Sequence, residues 1–244
     1  MNPAVNSPKL MDILSLDKPP LGVRFVKAGD TDDGTWRAEK RLRFCQALML
    51  AIKGEKVKLT PENITCPASA AAFGFKPLNE KLLNGEMMFT MGLFGNPQAA
   101  AKTTGLMPRL EQGSLSAVLV ARLAAFDTMP DVVVVEATPE KLRWIALADI
   151  FDAGGRHAIE TGVFQATCID SAVMPFVRQK LNFCLGCYGC RDATDIEHAE
   201  TVLGFPAASL DRIAAALEKL SQKAMPRSRN KTAFRALTGC VDGK

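Results

Sequence analysis

The run Cys184-Leu185-Gly186-Cys187-Tyr188-Gly189-Cys190 places three thiols at intervals of three within seven residues. Two glycines among them let the backbone fold tightly around whatever the thiols hold. Each two-residue spacer turns the next thiolate back toward a common centre, which is how one segment wraps three corners of a cuboidal iron-sulfur cluster. The ferredoxin form of this pattern adds a fourth cysteine after three more residues, followed by proline. Here those positions are Thr194 and Asp195. A fourth ligand has to come from Cys45, Cys66 or Cys168, or one corner stays open to solvent or substrate.

The 244 residues suffice for one sizeable core. The expected organisation is a single domain over 1–244, with an N-terminal helix over 4–16, a globular core from about 19 to 225 and a basic tail over 226–244. Thirty basic and 26 acidic residues are mixed along the chain, so no field for nucleic acid or an anionic membrane is expected. Residues 1–17 carry no long apolar stretch and do not read as a signal peptide. The longest apolar run, 115–126, is interrupted by Arg122 and is too short to span a bilayer. The expected compartment is therefore the cytoplasm, where the seven cysteines read as ligands, nucleophiles or buried hydrophobes rather than disulfides.

Alternation and β-branching predict strands over 21–26, 116–121, 131–136 and 201–205, with strand-like pieces at 158–160 and 163–167. Helices are predicted over 36–53, 68–72, 139–153, 171–179 and 209–224, the last with Leu210, Ile213, Leu217 and Leu220 facing inward. Strands and helices mix without regular alternation, which indicates an α+β fold: a mixed sheet packed with helices. Thr65-Cys66-Pro67-Ala68-Ser69-Ala70 echoes Thr167-Cys168-Ile169-Asp170-Ser171-Ala172, each preceded by a strand and a helix. The echo suggests an internal duplication in which Cys66 and Cys168 are equivalent and the three-thiol loop is an insertion.

Cys45 lies beside the apolar stripe of the 36–53 helix and reads as core, as do Met87, Met88 and Met91. Cys66 and Cys168, each ahead of a small-residue helix, read as ligands or nucleophiles. Cys240 lies in a polar tail and reads as incidental. Zinc competes with iron-sulfur chemistry, since His198 could complete a set with the loop thiols, although no second C-x2-C pair exists. No Walker A loop, GxGxxG or GxSxG is present. Gly186, Gly189 and Arg191 can form a backbone nest with a cation, able to hold an anion.

Read together, Arg43-Phe44-Cys45-Gln46-Ala47, the stretch Leu59 to Pro67, Lys102-Thr103-Thr104-Gly105-Leu106, Asp131-Val132-Val133-Val134, Thr161 to Cys168 and Gly186 to Arg191 resemble the bacterial and archaeal domain of unknown function 169 family. The resemblance runs from about Leu21 to Arg229. It brings no catalytic residues with it. In that family the segment matching Gly186-Cys187-Tyr188-Gly189-x-Arg191 recurs more widely than all three cysteines, which implies an anion or small-molecule site at the glycines and Arg191.

The leading expectation is a 4Fe–4S protein with Cys184, Cys187 and Cys190 as ligands and Cys66 or Cys168 completing the set. Such a cluster would serve electron transfer with a redox partner protein, or a non-redox role on a small anionic ligand. The alternatives are a metal-free binding or sensing module built on Gly186, Gly189 and Arg191, and a structural zinc site. The apolar stripes of 36–53 and 209–224 fit a homo-oligomer interface and a core equally well.

Overall fold

The computed structural model describes residues 3–30, 34–38, 40–162 and 166–238. Six strands, β1 (Leu21–Lys27), β2 (Val57–Leu59), β3 (Leu115–Arg122), β4 (Val132–Ala137), β5 (Asn182–Cys184) and β6 (Thr201–Pro206), form one sheet in the order β2-β3-β1-β4-β6-β5. All five pairings are antiparallel. The fold is α+β, as its sequence indicates, but the sheet is antiparallel throughout the described strands rather than mixed. Four valines in succession can all be buried only where both faces of a strand are covered. Val132 and Val134 point into one apolar layer and Val133 and Val135 into the other, none of them more than 1% exposed. Each such burial stabilises the fold by about 1.5–3 kcal/mol.

One layer is built from α1 (Pro3–Leu14), α7 (Pro139–Asp149) and α11 (Leu210–Gln222), whose Leu10, Leu142, Ile145, Ile213 and Leu217 cover one side of the sheet. The other holds α2 (Phe44–Ile52), α3 (Pro67–Ala72) and, from the segment between β2 and β3, α4 (Glu80–Leu83), α5 (Glu86–Thr90) and α6 (Pro97–Gly105). It also contains a continuous helical passage: α8 (Ala166–Cys168), a π-helical segment Ile169–Val173 and α9 (Met174–Arg178). After β5 comes α10 (Tyr188–Ala193); α12 (Ala224–Arg229) and α13 (Thr232–Thr238) occupy most of the stretch read as a basic tail. Residues 239–244, Cys240 among them, and the predicted strand residues 163–165 lie outside the described residues.

Three elements depart from expectation. The helix predicted from Trp36 begins only at Phe44, because Arg37 and Leu42 bridge to Val57 and Ile64 and hold this stretch extended. The helix from Pro139 ends at Asp149, short of the glycine pair, and residues 158–160 form no strand. The strand order is palindromic about the β1–β4 junction, in keeping with the echo. The helices break the symmetry: α2 and α7 lie on opposite faces, and Cys66 follows its edge strand whereas Cys168 precedes one.

The π-helical segment lies directly on β6, where a Cβ at Gly204 would stand 1.9 Å from the Ser171 carbonyl oxygen. Replacing Gly204 with alanine is expected to cost about 3 kcal/mol and to lower Tm by roughly 10 °C in a thermal melt, whereas Gly105→Ala, in open space, leaves Tm unchanged.

Candidate functional site

The start of α2 grips the cysteine loop. Arg43 Nη1 donates to the Gly189 carbonyl at 2.9 Å, and Gln46 Nε2 to the Ala193 carbonyl at 3.3 Å. From the other side, Arg191 spends its guanidinium on three backbone carbonyls: Leu185 at 2.6 Å, Glu200 at 2.8 Å and Glu197 at 3.1 Å. The Glu200 carboxylate in turn accepts from Lys18 Nζ at 2.5 Å, as does Glu136 of β4. Burial opposes the Lys18 charge, but the two carboxylates outweigh it and its pKa rises. Loop, N-terminal linker and sheet are thereby tied through one half-buried ion network.

Between α2, the turn before α3, the α8–π passage and the loop lies a cavity of about 180 Å³. Five thiols line it: Cys45 from α2, Cys66, Cys168, Cys187 and Cys190. Met87, Met88 and Met91 form another wall, so the methionines read as core filler are also cavity lining, and Cys45 is not merely core. Cys184, last residue of β5, is fully buried and is not part of the lining. It accepts the Gly186 N–H at 3.3 Å and donates to Thr167 Oγ1 at 3.7 Å; that hydroxyl in turn donates to Cys187 Sγ at 3.8 Å. Arg191 is likewise outside the lining; the arginine at the cavity is Arg43. Gly186, left-handed at φ +79°, turns the loop beneath Arg191, while Gly189 lines the cavity and His198 does not.

Thr194, standing where a ferredoxin loop would have its next cysteine, places Oγ1 3.7 Å from Cys190 Sγ. The Cys190 thiol is pulled down because Cys45 donates to it, with Thr167 and Thr194 hydroxyls adding to the effect against the cost of burial. Cys45 is correspondingly pushed far up, first by that shared proton and then by burial. Burial, above all, raises Cys168 and Cys184, with the Cys66 sulfur adding to it at Cys168 and the Asp170 carboxylate at Cys184. In the metal-free protein these shifts favour a thiolate on Cys190 and keep the protons of Cys45, Cys168 and Cys184 in place. Among the described residues, no three His, Cys, Asp or Glu side chains are arranged to share one metal ion.

A family model described as "Uncharacterised ArCR, COG2043", domain of unknown function 169, matches residues 9–216. The chain belongs to the DUF169 family. It is 29% identical over 220 residues to uncharacterized protein MJ0308 of Methanocaldococcus jannaschii, an alignment covering 89% of this chain and 94% of the archaeal one. No solved structure matches. Among the described residues, no helix of this DUF169 protein is long and apolar enough to cross a membrane.

Sequence reasoning gave Arg43 no role, read Met87, Met88 and Met91 as core, and weighed Cys45 as core although it stood among the candidate fourth ligands. The usable signal was the pairing of Arg43 and Gln46 in one helical turn, since each spends a polar group on the loop. The thiol arrangement also sets a pH dependence. Above about pH 9 the unfolded chain releases the protons of Cys45, Cys168 and Cys184 while the folded chain keeps them, so stability falls as pH rises, approaching about 4 kcal/mol per pH unit. Cys190 acts in the opposite sense, its contribution being lost as pH falls through its lowered value. Urea titrations of metal-free protein between about pH 8 and 10.5 check this; Cys184→Ser is expected to flatten the alkaline limb.

Proposed function

We propose that this DUF169 protein binds a polynuclear iron-sulfur cluster in the thiol-lined cavity and uses it to transfer electrons. The observation that carries the reading is the convergence of Cys45, Cys66, Cys168, Cys187 and Cys190, from four separate segments, on one cavity of about 180 Å³. Soft thiolates are the donors that iron-sulfur clusters take. A cluster spreads its ligands over several irons and accepts spacing that a lone ion does not, whereas zinc draws sulfurs to about 2.3 Å around one point. The ligand set differs from the one suggested by loop spacing: Cys187 and Cys190 remain, Cys66 and Cys168 complete the four, and Cys184 supports them from behind through Thr167. Cys45 lies beside Cys190 as its proton donor.

Burial holds Cys168 protonated in the metal-free protein, so loading the site must release protons, and the positive iron supplies the field that does so. When bound, the cluster would supply one-electron redox chemistry. The chain's own contribution would be the Arg43 cation at the cavity wall, offsetting the charge of the thiolates, and a methionine wall that keeps water from one side.

A second reading, a metal-free site for a small anion, has one observation in its favour, the presence of Arg43 in the lining. It differs from the sequence-based version in the arginine it uses.

Anaerobic reconstitution followed by iron and sulfide analysis and an absorption spectrum tests the first reading. Roughly four irons and four sulfides per chain are expected, retained in Cys184→Ser and lost in Cys187→Ser and Cys190→Ser. A folded, colourless, iron-free protein would overturn it, and one tightly held zinc per chain would replace it with the zinc site.

A further inference from the structure

The passage that carries Thr167 and Cys168 into the thiol cavity continues, one and two residues later, into the wall of another. Ile169 and Asp170 of the π-helical segment line a second cavity of about 200 Å³, faced by Thr103 and Met107 and edged by Glu160. π-helical turns are rare and concentrate at functional sites. The two sides of this cavity are tied by Asn182 of β5. Its Oδ1 accepts the Glu160 N–H at 3.0 Å, and its Nδ2 donates to the Glu160 and Asp170 carbonyls, both at 2.9 Å.

Asp170 is only 3% exposed, and among the described residues its Oδ2 has no hydrogen-bond partner. The rest of the carboxyl is held by the Thr161 hydroxyl and the Gly162 N–H. A buried acceptor left unsatisfied costs about 1–3 kcal/mol, and natural folds rarely tolerate it without a use. Here the orphan oxygen belongs to a carboxyl in a cavity wall that also carries Glu160, while the described lining includes no lysine, arginine or histidine. The remaining lining is largely aliphatic or thioether. An occupant that complements these walls must donate hydrogen bonds, carry positive charge at that end and be apolar beyond it.

We propose that this second cavity binds a small primary ammonium compound with a short aliphatic body, its N–H groups directed at Asp170 and Glu160. The ligand would supply the donor that Asp170 Oδ2 lacks among the described residues. Thr103 and the main chain of 160–162 would provide the polar rim, and Ile169, Met107 and Met174 would cover the aliphatic part. The site is separate from the thiol cavity and needs no metal.

The test is isothermal titration of the full chain at pH 8 and low salt with ethyl-, n-butyl- and n-hexylammonium chloride, using n-butanol and sodium butyrate as neutral and anionic counterparts. At least one alkylammonium is expected to bind saturably in the millimolar range, and butyrate is expected to give no saturable heat. Asp170→Asn, which keeps an acceptor for Thr161 and Gly162, is expected to weaken binding about tenfold, the equivalent of one charge-assisted hydrogen bond. Glu160→Gln, at an exposed side chain, is expected to weaken it by about threefold, a typical loss for a screened rim charge. Circular dichroism and a thermal melt establish that each variant is folded, and Glu160→Gln keeps the test decisive if Asp170→Asn does not fold. Failure of all three alkylammonium ions to bind, binding of butyrate with equal affinity, or affinities unmoved in the folded variants would overturn the proposal.

Discussion

The missing side chain at Gly204 is the constraint on which both cavities depend. Because β6 offers bare backbone at that point, the carbonyl of Ser171 can sit against the sheet, closer than any other residue would permit. The helical passage 166–178 is thereby lowered onto the sheet. At that depth Thr167 comes within reach of both Cys184 and Cys187, and Asp170 is carried below the surface. A helix riding higher by the thickness of one methyl group would lift Cys168 away from the thiols opposite. The irregular π turn, the deep threonine and the buried acid are thus three results of a single close approach.

The thiol cavity shows what burial does to a group that must ionise to act. Five sulfurs in a small apolar space cannot all be thiolates without a cation, because each new negative charge faces both desolvation and the charges already present. The protein relieves the problem locally by letting Cys45 lend its proton to Cys190. Among the described residues Arg43 is the one cationic side chain in the lining, and it is simultaneously employed in holding Gly189. Structural and electrostatic roles fall on the same side chain, so the loop cannot drift without moving the positive charge with it.

Much of the sheet was legible in the sequence because its strands are either alternating or continuously apolar, and Val132–Val135 admit little else. The short helix Pro67–Ala72 was legible from its small residues. Other features were not, for identifiable reasons. The stripe Phe44, Leu48, Ile52 announces a helix but says nothing of where the preceding backbone has found strand partners, so its start was placed too early. A π turn leaves no periodic mark. Met87, Met88 and Cys45 have the spacing of core residues because a cavity wall inside an apolar layer has that same spacing. Which arginine reaches the cavity is decided by tertiary structure: Arg191 and Arg43 look alike on paper, and the fold spends the first on three carbonyls outside the cavity while the second, bonded to Gly189, also lines it.

The four segments that line the thiol cavity come from both halves of the chain, and the halves meet where β1 pairs with β4 at the middle of the sheet. A chain emerging from the ribosome has Cys45 and Cys66 exposed long before Cys168, Cys187 and Cys190 exist. Its amino-terminal half therefore holds two thiols with no enclosing wall and no partner to form a chelate. Contacts of such long sequence separation form late in folding. The order of synthesis thus acts as a gate in time: the full thiol set is assembled only after nearly the entire chain has been made, so cavity and scaffold are completed together.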